Sequence, residues 1–238
     1  LEGIARTALA ENPAWSEGYR VLADVLVAGD RREELIELLG DWLQRQPTSL
    51  QANLLMAEHA EAAGRMEEAR QAYFKAFTFH DHREAGWHYA RLSVTQGRLS
   101  DAGEAARRLL EMQAHEAGAS AVLGIVNVHD GNHQTARELL VTGLAGDLPE
   151  DLRRIARYNL GLANYHLRRR GEAIAIWRES DAPAARLALA IVNRETVRLN
   201  RLPEGPLRAV GRELNACLSL ERKDFRAARR QLEGEIGR

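Results

Sequence analysis

Eight histidines, one cysteine and a large excess of arginine over lysine are the residues of this 238-residue chain most able to do chemistry. His80, His82 and His88 cluster around one turn, and His129 and His133 lie four apart across Asp130-Gly131. Neutral imidazoles bind zinc when three or four donors converge. Neither cluster has a zinc-specific spacing, and the Asp130-Gly131 turn keeps His129 and His133 off one helical face. Capping or solvated histidines account for both, and no metal or cofactor is expected. Cys217 has no histidine near it in sequence and reads as a packed thiol within a helix, not a nucleophile. A single cysteine also excludes an intramolecular disulfide framework. No glycine-rich phosphate loop and no Gly-x-Ser-x-Gly elbow occurs, so no catalytic constellation is visible and an enzyme is not expected.

The arginines could meet phosphates at Arg153, Arg154 and Arg157, and at Arg168, Arg169 and Arg170. Interspersed acids and a net charge of −1 argue against a nucleic-acid protein. Helix-end arginines answering the helix dipole are the simpler reading of the second cluster. The charge is nevertheless polarised: residues 1–150 carry 14 basic and 23 acidic side chains, and residues 151–238 carry 19 and 11. Such polarity reads either as helix surfaces that simply differ along a long protein, or as a rod that meets an acidic partner at its C-terminal end or stacks head to tail.

These side chains must be held by helices. Ala and Arg are strong helix formers, and runs of Val, Ile or Thr are scarce. The Ala/Arg excess also fits a GC-rich bacterial genome. The apolar runs are too short for a membrane span.

Four segments align on one pattern. Small residues Ala57, Ala90, Gly124 and Gly161 fall mid-helix, and a turn follows seven residues later at Gly64, Gly97, Gly131 and Arg168. Small residues recur five further on, at Ala69, Ala102, Ala136 and Ala173. Tyr73, Leu140 and Trp177 follow four later, with Ala106 the exception. Small residues allow two helices to approach closely, and glycine accepts the positive φ of a tight turn. Ala57 to Ala90 spans 33 residues, and Ala90 to Gly124 spans 34.

On these residues the chain resembles the tetratricopeptide-repeat family, whose helix–turn–helix unit recurs every 34 residues. Leu123-Gly124 and Leu160-Gly161 match its Leu-Gly pair. Ala69 with Tyr73, and Ala173 with Trp177, match its Ala-x-x-x-aromatic, and Pro13 and Pro47 its closing proline. A weaker copy spans 20–42, with Ala23 at the small site, Gly29-Asp30 at the turn and Leu35 in place of alanine. The expected fold is all-α: an α-α superhelical solenoid of about five to six repeats with an extra helix near 183–200. Residues 1–13 would end a preceding repeat, so that the chain begins inside a longer array. Repeats would fill 14–182. Residues 183–206 would be an extra helix and a proline-rich interruption, read either as a rigid turn or as a hinge. Residues 207–238 would form a C-terminal repeat-like helix pair.

The resemblance implies a concave groove lined by the first helix of each pair, with partner-binding residues Trp87, Arg91, Ile125, Val128, His129, Tyr158, Leu162, Tyr165 and His166. That groove would begin acidic and become aromatic and apolar from Trp87 onward, unless Trp87, Tyr158 and Tyr165 instead fill gaps between adjacent helices. The Lys and Asn positions by which some family members clamp a chaperone's carboxylate are not matched here. The expected function is a non-enzymatic scaffold that binds a protein or peptide segment. The other reading is a periplasmic assembly or spacer segment of a bacterial exopolysaccharide secretion system. Bacterial cytoplasm and periplasm both fit.

Overall fold

The turns dictate the architecture. In the computed structural model, Gly64, Gly97 and Gly131 take φ of 76°, 73° and 80°, and Asp30 and Arg168 hold the same left-handed conformation at 51° and 63°. After each, one backbone bond closes the preceding helix: Arg31 N to Leu26 O at 3.0 Å, Arg65 N to Ala60 O at 2.8 Å, Arg98 N to Ser93 O at 2.8 Å, Asn132 N to Asn127 O at 2.9 Å and Arg169 N to Asn164 O at 2.9 Å. This six-to-one closure satisfies carbonyls that a helix end otherwise leaves unpaired. The expected turns are therefore one turn repeated five times.

The structure describes residues 1–224, 226–228 and 230. Among them every regular element is helical. Two compact units are distinguished, Leu1–Val122 and Leu123–Arg238. The first holds α1 (Glu2–Glu11), α2 (Ser16–Ala28), α3 (Arg32–Arg45), α4 (Leu50–Ala62), α5 (Met66–His80), α6 (Arg83–Thr95) and α7 (Leu99–Glu111). Helix α8 (Glu116–His129) contains the boundary. The second unit continues with α9 (His133–Ala145), α10 (Glu150–His166), α11 (Arg170–Arg178), α12 (Pro183–Asn193), a single 3-10 turn (Leu199–Arg201) and α13 (Pro206–Glu221). The second helix expected after α13 lies partly outside the described residues.

The small residues do what their spacing predicts. Ala57, Ala90, Ala69, Ala102, Ala136 and Ala173 are fully buried, as is Leu35 in the weaker repeat. A Cβ on Gly124 would fall 2.6 Å from Leu140 Cγ, and one on Gly86 2.5 Å from the Phe77 ring. These helices touch where no side chain intervenes, which fixes their separation. Local caps set the starts. Ser49 accepts from Ala52 N at 3.4 Å, and His82 Nδ1 from Ala85 N at 3.2 Å. Pro183 and Pro206 occupy first-turn positions, where proline's missing N–H costs nothing. Among the described residues no helix is long and apolar enough to cross a membrane.

Candidate functional site

In the second unit, α10 presents a stripe of Tyr158, Leu162 and Tyr165 at the i, i+4, i+7 spacing of one helical face. Trp177 on α11 braces it: its indole Nε1 donates to the Tyr158 carbonyl at 3.1 Å. The Trp177 ring lies 6.5 Å from that of Tyr158 and 6.2 Å from that of Tyr165, tilted to both. Ala173, Trp177, Ala185 and Ala188 form the buried core below. Helix α12 follows because Pro183 starts it and Arg194, in a left-handed cap, ends it. Its Leu187, Ala188 and Ile191 face the α10 stripe across a cavity of about 320 Å³, which Leu207 and Val210 of α13 complete.

The cavity is open. Tyr165 is 42% exposed, Ile191 46% and Val210 41%. Contiguous exposed apolar surface of this kind marks an interaction site. The segment between α12 and α13 is pinned: Asn215 Oδ1 accepts from Val197 N at 2.7 Å, and Asn215 Nδ2 donates to Val197 O at 2.9 Å. Burial raises the Tyr158 hydroxyl above its ordinary pKa, so it stays a neutral donor at the cavity wall. At the end of α10, His166 stacks on His133 at 4.2 Å and 8°. Burial first, and the neighbouring His166 second, lower the His133 pKa.

Four of the nine expected site residues, Tyr158, Leu162, Tyr165 and His166, thus surround one cavity. The others are placed differently. Trp87 is interior: it stacks on His115 at 5.7 Å, and a Cβ on Gly118 would fall 2.4 Å from its ring. Ile125 and Val128 are buried in α8, and His129 is exposed at that helix's end. Arg91 pairs with Glu61, which also accepts from the Tyr73 hydroxyl at 3.1 Å. His88 lies 3.4 Å from Glu61 and 3.8 Å from Glu84, and His115 lies 3.0 Å from Glu84. This polar ladder ties α4, α5 and α6 of the first unit together. Burial, with the Glu61 charge second, raises the Tyr73 hydroxyl well above its ordinary pKa. An aromatic groove opening at Trp87 is therefore not what forms: its indole fills the space that Gly118 leaves, and the open apolar and aromatic positions are those of α10.

Two further expectations are corrected. Cys217 lies on α13 as expected, but it is exposed, not packed. Arg169 and Arg170 sit at the N-terminal end of α11, where the helix dipole disfavours a cation. Arg169 answers with Glu172 at 3.4 Å, and Arg170 donates to the Val192 carbonyl in the last turn of α12. The sequence pattern did not point to Ile191, Leu187, Leu207 and Val210. The signal was present, since Leu187 and Ile191 are four apart on a helix, but 183–206 read as an interruption. Among the described residues no group of three His, Cys, Asp or Glu side chains could hold a metal ion.

No protein-family model matches the chain, and none of the curated proteins does. Solved structures do. YrrB, a tetratricopeptide-repeat protein with an unusual peptide-binding site, superposes with a TM-score of 0.57 at 16% identity, covering 77% of this chain and 96% of YrrB. MamA does so at 0.53 and 18%, covering 73% and 90%. A tetratricopeptide-repeat protein from Parabacteroides merdae ATCC 43184 does so at 0.52 and 14%, covering 95% and 90%. The fold of the chain is the tetratricopeptide-repeat fold.

Proposed function

We propose that this tetratricopeptide-fold chain is a non-enzymatic protein-interaction scaffold that holds a partner segment in the cavity between α10, α12 and α13. The observation that carries the reading is the open apolar wall around Tyr158, Leu162, Tyr165 and His166, with Ile191 and Val210 exposed opposite. Burying one such side chain contributes roughly 1.5–3 kcal/mol. A few anchors therefore suffice for micromolar binding after ordering costs. The solved peptide-binding site of YrrB supports the reading by analogy of fold.

The test is photo-crosslinking in the native host, with a benzophenone side chain at Tyr165 and, as control, at Trp15 of the first unit. A protein adduct from position 165 that is lost when Ile191→Asp is added fits the scaffold. Equal adducts from both positions, or none from 165, would sink it. The other role, an assembly or spacer segment of an exopolysaccharide secretion system, needs no occupant in this cavity and predicts the latter outcome. An adduct to a second copy of the chain would identify head-to-tail self-association.

A further inference from the structure

The cavity is lined by apolar and aromatic side chains, and exposed arginines precede and follow its α10 wall in sequence. Arg154 lies one helical turn before Tyr158 on the same face of α10, and Arg168 lies two residues beyond His166. Both are exposed, and neither side chain has an acidic partner among the described residues. Glu172, four residues after Arg168, is engaged with Arg169 at 3.4 Å, and Glu150 and Asp151 precede Arg154 by four and three residues on α10. Along the chain, the stripe Tyr158, Leu162, Tyr165 therefore lies between two exposed arginines. A guanidinium presents a planar fork of donors that matches a carboxylate. Residues 151–238 as a whole carry 19 basic and 11 acidic side chains, so the surrounding field has the same sign.

We infer that the partner is an acidic protein segment, with a bulky apolar side chain entering the cavity and carboxylates on either side meeting Arg154 and Arg168. This rests on the scaffold reading above and adds the chemistry of what is bound. Apolar burial supplies most of the affinity, and the two arginines select the partner and its register. A basic amphipathic segment with the same apolar side chain is rejected, because it places like charges at both ends.

The probe is a phage-displayed library of random twelve-residue peptides, selected in parallel against three proteins: the unaltered chain, a frame variant (Arg154→Glu with Arg168→Glu) and a cavity variant (Tyr165→Asp with Ile191→Asp). All four positions are exposed, so the fold is retained, and circular dichroism checks it. The unaltered chain is expected to enrich peptides that set Asp or Glu on both sides of an aromatic or branched residue. A synthetic copy of the leading peptide should lose at least tenfold in affinity on either variant and weaken as salt is raised. Enrichment without acidic bias, or acidic peptides that bind the frame variant unchanged, overturns the inference and leaves the scaffold reading standing. No enrichment beyond that of the cavity variant overturns both. Self-association by sedimentation that the cavity variant abolishes makes a second copy the occupant, and overturns the inference as well.

Discussion

The Trp177 indole occupies the volume that a side chain at residue 161 would need. A Cβ on Gly161 would fall 2.1 Å from Trp177 Nε1, the atom that bonds to the Tyr158 carbonyl. Gly161→Ala is expected to destabilise the protein by about 1–3 kcal/mol through overpacking, despite alanine's better helix propensity of ~1 kcal/mol. It also pushes Tyr158 from the cavity wall. Gly40, inside α3, is the control, because a Cβ there would meet nothing within 4 Å. There the same change should stabilise by roughly 0.5–1 kcal/mol. Urea melts of the two variants check both signs.

Arg168 holds the left-handed turn that glycine holds at 64, 97 and 131. A side chain there costs roughly 1–2 kcal/mol. Arg168→Gly should therefore raise the melting temperature, and Gly97→Ala should lower it by a comparable free energy. If acidic peptides are the ligands, Arg168→Gly stabilises the fold while weakening binding.

Glu67 is held down to about 2, chiefly by Arg70 and next by Gln71. Arg70 is itself largely buried, over the Tyr89 ring at 5.7 Å. A depressed carboxylate stabilises the fold above its ordinary pKa of 4.5 and loses that contribution as pH falls through about 2. Glu67→Gln should lower stability at neutral pH, and the gap to the unaltered chain should close through that acid window. Thermal melts between pH 7 and pH 2 measure it.

His133 behaves differently. Its pKa is lowered from the ordinary 6.5, so the folded chain binds fewer protons there than the unfolded one. Stability from this residue is present above 6.5 and falls as pH drops through the lowered value. His166 faces it in a stack, and Arg137 stands one turn along α9, bonded to Asn164 at 3.1 Å and 3.7 Å from Glu172. His133→Phe keeps the stack without the charge. It should flatten the mildly acidic part of the stability profile while leaving the profile above pH 7 unchanged.

The turns and small residues were legible because backbone geometry leaves few residue types eligible. Positive φ selects Gly64, Gly97 and Gly131, and close helix approach selects Gly124 and Gly161. The site was legible only where it lay on a helix of the repeat. Tyr158, Leu162, Tyr165 and His166 follow from register. Ile191 and Val210 do not, because α12 and α13 leave the 34-residue period. Trp87 shows the limit from the other side. Its register position matches an open groove, yet burial depends on Gly118 two helices on, whose missing side chain makes room for the indole. Periodicity reports which face a residue is on, not what its neighbour lacks.

Cys217 is the chain's only thiol, and it stands exposed on α13. It lies seven residues beyond Val210, roughly 10 Å along the helix. A maleimide dye therefore attaches at one place, without any substitution, within reach of the cavity rim. The protein carries its own reporter: occupancy can be followed as a change in emission at Cys217, on unlabelled partners and in real time.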